Sequence, residues 1–160
     1  MIVIVMGVSG SGKSTLGRPL AERLGWAYLD ADEFHPPSNI AKMHAGQPLG
    51  DADRAGWLTA MGERLAACAA SGESAVLGCS ALKRAYRDQL RAAGGEVRFV
   101  YLRGSYELIA ERLARRTDHF MPPGLLASQF AALEEPDEAL TVDIARPPEE
   151  IIEEIYASLR

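Results

Sequence analysis

Eight residues near the amino end, Gly7-Val8-Ser9-Gly10-Ser11-Gly12-Lys13-Ser14, restrict this chain more than any other stretch. They follow an unbroken apolar run, Ile2 to Met6, which reads as a buried strand. They precede Leu16, Leu20 and Leu24, spaced by four, which read as one face of a helix. Strand, glycine-rich loop, Lys-Ser and helix together form a P-loop pattern. Its glycines let the main chain curl so that several N–H groups converge on one anion. The helix start adds unpaired N–H groups and the positive end of its dipole. Lys13 carries an ammonium toward the outer phosphates, and the Ser14 hydroxyl is placed to ligate Mg²⁺. The candidate nucleotide-binding residues are Gly7, Val8, Ser9, Gly10, Ser11, Gly12, Lys13, Ser14 and Thr15.

Such a loop needs a sheet behind it, and the rest of the chain supplies one. Further short apolar runs, at residues 26–30, 75–79, 97–102 and 140–144, predict four more strands. Helical spacing separates them. Gly25 stops the first helix, which carries Pro19 inside it and is expected to kink there. Ser38 is expected to cap a short helix to about Met43, and Asp53 to start a longer one ending at Ser71-Gly72. Further helices are expected over residues 81–93, from a Ser105 cap to about Arg116, over 124–133, and after Pro147. The alternation predicts an α/β fold with a five-stranded parallel sheet covered by helices on both faces. With 160 residues and no linker or repeat, it predicts one domain. A net charge of −5 leaves no broad basic face for nucleic acid. No apolar run spans a bilayer, and Ile2–Met6 is too short for a signal-peptide core, so a cytoplasmic protein is expected. Cys68 and Cys79, both in apolar surroundings, are expected to be a reduced core pair.

Ligands of such sheets lie beyond the carboxyl ends of the strands, where several polar residues fall. Asp30 and Asp32 end the second strand and, if extended, point to one side. One could hold a Mg²⁺-bound water and the other accept a proton from an attacking hydroxyl; capping a turn is the alternative. His35 is either a turn-stabilising loop histidine or a donor to a polar substrate. Lys42, Arg54, Lys83 and Arg87 fall at the same end, and at least two are expected to contact an anionic substrate. Arg112, Arg115 and Arg116 end a helix before Thr117-Asp118-His119-Phe120. They either complement the helix dipole or form a flap over the phosphates, with a lid at about residues 115–123. Asp53-Arg54-Ala55-Gly56 spells a GTPase switch motif but follows no apolar strand, and reads as a helix start.

Longer stretches resemble one family. Met6 to Ser14, Leu29-Asp30-Ala31-Asp32-Glu33-Phe34-His35-Pro36 and Asn39-Ile40-Ala41-Lys42-Met43 are similar to gluconate kinases. So are Pro48-Leu49 with Asp51, Asp53, Arg54 and Trp57, then Cys79-Ser80-Ala81-Leu82-Lys83 with Tyr86-Arg87, and His119-Phe120 with Gln129-Phe130. The resemblance covers nearly the whole chain. It implies a P-loop kinase fold like those of adenylate and shikimate kinases, with a short lid, and ATP-dependent, Mg²⁺-assisted phosphorylation of the 6-hydroxyl of D-gluconate. It also implies a homodimer. Under it, Lys13 and Asp32 are the catalytic candidates. Ser14 and Asp30 hold the metal, Arg112 lies over the adenine and Arg116 reaches the phosphates. Asp32, His35, Arg54, Lys83, Arg87 and His119 meet the substrate. Two rivals stay open: the same chemistry on shikimate, a nucleoside monophosphate or another hydroxy acid, and a nucleotide-dependent switch with no small acceptor.

Overall fold

A computed structural model describes residues 1–93, 95–115 and 123–159. It places β1 at Ile2–Met6, β2 at Ala27–Asp30, β3 at Ala75–Gly78, β4 at Val97–Arg103 and β5 at Leu140–Asp143. The helices are α1 (Lys13–Leu24), α2 (Pro37–His44), α3 (Asp51–Ser71), α4 (Arg84–Ala93), α5 (Tyr106–Ala114), α6 (Pro123–Ala132) and α7 (Pro148–Ser158). A 3-10 turn, Ala31–Phe34, follows β2. All strand pairs are parallel, in the order β2-β3-β1-β4-β5.

β1 is the central strand and is buried at every position, which is why it has no polar alternation. Ile2, Ile4 and Met6 face a core with Leu77, Phe99 and the α3–α4 residues Trp57, Met61, Leu65 and Leu90. Val3 and Val5 face the opposite core, with Leu16 and Leu20 of α1, Ile109 of α5, Leu126 of α6 and Ile151 and Ile155 of α7. The sheet therefore has helices on both sides, and β1 delivers the loop that follows it to the middle of the sheet's carboxyl edge.

Several boundaries differ from the sequence expectation for local reasons. Pro36, not Ser38, caps α2: its carbonyl takes the Asn39 and Ile40 N–H groups, and Pro37 fills the first helical position, where no donor is needed. α3 starts two residues early, because the Asp53 carboxylate reaches back to the Gly50 N–H at 2.9 Å. α4 starts at Arg84 rather than residue 81, since Ala81 sits at φ +45° and cannot continue a right-handed helix. Pro147 caps α7 and Pro148 opens it. α1 runs through Pro19, which is exposed, as is Thr15 one turn earlier, whose carbonyl loses its helical partner. Cys68 and Cys79 are both free and buried. Among the described residues, no helix is long and apolar enough to cross a membrane.

Candidate functional site

The loop between β1 and α1 is curled by two glycines in the left-handed region, Gly10 at φ +81° and Gly12 at φ +102°. At Gly10 a Cβ would also lie 2.7 Å from Leu113 Cγ of α5. No other residue type suits both demands. Leu16 N–H is bonded to the Gly12 carbonyl. The amides of the turn before it, including those of Ser14 and Thr15, point out of the helix start. Lys13 Nζ lies across the loop, donating to the carbonyls of Gly7 at 2.9 Å and Val8 at 3.2 Å. Ser11 Oγ is buried and lacks a hydrogen-bond partner among the described residues. Converging amides, an ammonium and a hydroxyl are donors without a carboxylate among them, which fits a polyphosphate.

Beside the loop, Ser14 Oγ lies 3.4 Å from the Tyr28 hydroxyl. Asp30 Oδ1 accepts the Asp32 N–H at 2.9 Å and so caps the 3-10 turn. Among the described residues no cluster of three His, Cys, Asp or Glu side chains could cage a metal. The Ser14 hydroxyl and the Asp30 carboxylate are of the oxygen type that suits Mg²⁺, which keeps waters and takes substrate phosphates as ligands.

In front of the loop lies a cavity of about 570 Å³. Ser9 and Lys13 of the phosphate loop line it together with Asp32, His35, Arg54, Ser80, Ser128 and Gln129. Ile40, Met43, Pro48, Leu49 and Leu125 add apolar wall. His35 stacks on Trp57 with centroids 4.5 Å apart and planes 9° from parallel. The Trp57 indole is itself pinned to the Ala31 carbonyl at 2.7 Å. Burial holds the His35 pKa below its ordinary value, with Arg54 pushing the same way and Asp32 against it. Arg54 Nη1 donates to the Tyr86 hydroxyl at 3.2 Å, and that hydroxyl donates to Asp51.

Other sequence candidates fall elsewhere. Lys42 pairs with Asp53 at 2.9 Å and Lys83 with Asp51 at 3.0 Å; neither lines the cavity. Hydrogen bonding to Asp51 raises the Lys83 pKa, and hydrogen bonds from Tyr86 and Lys83 lower that of Asp51. Arg87, a candidate for substrate contact, is buried and engaged within the chain. It is 1% exposed, with Nη1 on the carbonyls of Ala81 (2.9 Å) and Leu82 (3.2 Å) and Nε on Glu138 (3.0 Å). It braces the turn that holds Ala81 at positive φ. Arg112 Nη2 donates to the Ile144 carbonyl at 2.6 Å, past the end of β5. Arg116, His119 and most of the expected lid lie outside the described residues.

Sequence reasoning missed three contributors. Gln129 grips the phosphate loop, accepting Ser9 N–H at 2.7 Å and donating to Ser9 Oγ at 3.2 Å. Asn39, 2% exposed, donates from Nδ2 to the Asp53 carbonyl at 2.7 Å and lies 3.2 Å from His35 Nδ1. His44, exposed, also lines the cavity. Gln129 and Asn39 stood in the stretches that carry the family resemblance, the one signal that could have marked them.

Comparison with known proteins agrees with this geometry. Residues 2–136 match the AAA domain family. A gluconokinase of Gluconobacter oxydans is 47% identical over 156 residues, spanning 96% of this chain and 88% of the relative. The crystal structure of a gluconokinase from Sinorhizobium meliloti superposes with a TM-score of 0.89 at 50% identity, over 98% of this chain and 90% of that one. Shikimate kinase from Aquifex aeolicus, at 22% identity and a TM-score of 0.62 over 99% of this chain and 96% of that one, shares the fold.

Proposed function

The chain belongs to the gluconokinase family of P-loop kinases, and from that premise we propose that it transfers the terminal phosphoryl group of ATP to the 6-hydroxyl of D-gluconate, giving 6-phospho-D-gluconate and ADP. The observation that carries the reading is one cavity lined both by the phosphate-loop residues Ser9 and Lys13 and by Asp32, His35 and Arg54. A polar acceptor fits between them; a nucleotide switch would have no use for the second set.

The residues divide the work as phosphoryl transfer requires, by positioning and by charge stabilisation. The loop amides and the Ser11 hydroxyl hold the phosphate chain. Lys13 exchanges the carbonyls of Gly7 and Val8 for phosphate oxygens, so its ammonium follows the charge that develops on transfer. Ser14 and, through water, Asp30 would hold a Mg²⁺ ion, which when bound would supply charge neutralisation for the phosphates. Asp32 orients the attacking hydroxyl and takes its proton. Arg54, held on the Tyr86 hydroxyl, offers a guanidinium to the sugar-acid carboxylate. The family resemblance assigns Arg112 to the adenine, Arg116 to the phosphates and His119 to the substrate, and we propose on the same ground a cytoplasmic homodimer.

A coupled assay of ADP release, run over gluconate, shikimate and nucleoside monophosphates, tests the acceptor. Turnover is expected with gluconate. Turnover of shikimate without gluconate would overturn the reading. Lys13→Met is expected to abolish turnover while keeping the far-UV circular dichroism of the parent; near-normal activity in that variant contradicts the assignment.

A further inference from the structure

We propose that Asn39 holds His35 in one tautomer, with Nδ1 bare and the proton on Nε2, and that this neutral Nε2–H reads an acceptor oxygen of the sugar acid. The tautomer follows from contacts within the chain. Its use in recognition rests on the function proposed above.

The chemistry of the Asn39 amide decides the matter. A backbone carbonyl only accepts, so the atom 2.7 Å from the Asp53 carbonyl is the amide nitrogen and not the amide oxygen. That nitrogen has a second hydrogen, and His35 Nδ1 stands 3.2 Å away. A proton on Nδ1 would oppose it, donor against donor. Nδ1 therefore presents its lone pair, and a neutral imidazole must carry its proton on Nε2. The ring has little freedom to escape. Trp57 fixes its plane by stacking, and a half-turn about the ring axis would put a carbon where Asn39 needs an acceptor. Asn39 is held in turn by burial and by its bond to the first turns of α3. Burial and Arg54 favour the uncharged ring and Asp32 opposes them, with burial the largest influence.

Two consequences follow. A ring already protonated at Nε2 cannot take a proton there, so base catalysis stays with Asp32. A neutral donor selects for an oxygen lone pair, which each hydroxyl of a polyol offers and a deoxy position lacks. Asn39 is thus a positioning residue for recognition, acting through His35.

Nitrogen-15 NMR of the ligand-free full chain tests the tautomer directly. His35 is assigned by the loss of its signals in His35→Gln. Nδ1 is expected in the pyridine-like range and Nε2 in the pyrrole-like range; the reverse, or an exchange-averaged mixture, overturns the proposal. Asn39→Asp offers Nδ1 a carboxylate, so the same spectrum is expected to swap its pattern. Its kcat/KM for gluconate is expected to fall about 10- to 100-fold, with the KM for ATP unchanged. Should that variant fail to fold, a second pair decides recognition. His35→Gln keeps an amide donor near the Nε2 position, and His35→Phe keeps the stack alone. The glutamine is expected to retain the larger part of gluconate kcat/KM, and equal loss in both overturns the recognition role. A wild-type protein that leaves gluconate untouched would sink the proposed function and the recognition role with it, while the spectrum would still judge the tautomer.

Discussion

A buried guanidinium is tolerated at Arg87 because Nε and Nη1 are engaged, one by a carboxylate and the other by two main-chain carbonyls. Arg87→Met keeps much of the volume but strips the carbonyls of Ala81 and Leu82 of their donor. Each unsatisfied buried group costs about 1–3 kcal/mol. Urea denaturation is expected to show a loss of about 2–4 kcal/mol, and the folded fraction is expected to keep its KM for gluconate. A raised KM would return Arg87 to the substrate site. His35 carries a pH signature of opposite origin. Its folded pKa lies below the ordinary 6.5, so below pH 6.5 the unfolded chain binds the extra proton more readily. Its contribution is fully present above pH 6.5, shrinks as pH falls, and levels off below the folded pKa. Urea midpoints measured across this range are expected to drop toward acid, and His35→Gln is expected to flatten that part of the curve.

Among the elements, β2 is fixed against α1 and β3 by one wedge. Tyr28 lies where a Cβ on Gly17 of α1 would approach its ring to 2.7 Å, and one on Gly78 of β3 would collide with its hydroxyl. The same hydroxyl lies beside Ser14 Oγ. Gly78→Ala must therefore displace the ring, and overpacking of this kind costs about 1–3 kcal/mol. A lower thermal midpoint is expected. With Tyr28→Ala already in place the clash is gone, so the further loss caused by Gly78→Ala is expected to shrink. α6 has a comparable tie at the other side of the site, where both amide atoms of Gln129 engage Ser9. Helix and phosphate loop are thus held at one distance across the cavity.

On the scale of the whole molecule, the carboxyl edge of the sheet gathers the phosphate loop, the turn after β2, the start of α3 and α6 around one cavity. Ligand bound there stabilises the entire fold by mass action, by about 2.7 kcal/mol at a hundredfold excess over Kd. For a domain of this size that corresponds to a rise of roughly 5–10 °C in Tm. Differential scanning fluorimetry with Mg·ATP is expected to show this rise, and Lys13→Met to lose most of it. An unshifted parent protein would contradict nucleotide binding at the loop.

What could be read from the sequence was local or periodic. The apolar run of β1, the glycines at 10 and 12 and the leucines of α1 each act on near neighbours, so the phosphate loop and the alternating α/β order were legible before any fold. The placement of Asp32, His35 and Arg54 on the cavity wall needed the fold to bring β2 and α3 together. Direction and burial of long side chains were not legible. Arg87 and Arg54 look alike in sequence, yet one guanidinium turns inward to brace a turn and the other lines the cavity. Gln129 meets Ser9 across 120 positions, and Asn39 meets the Asp53 carbonyl only once α2 lies beside the start of α3. Sequence determined which groups could bind a phosphate; packing decided which donors were already spent and which were left to face a substrate.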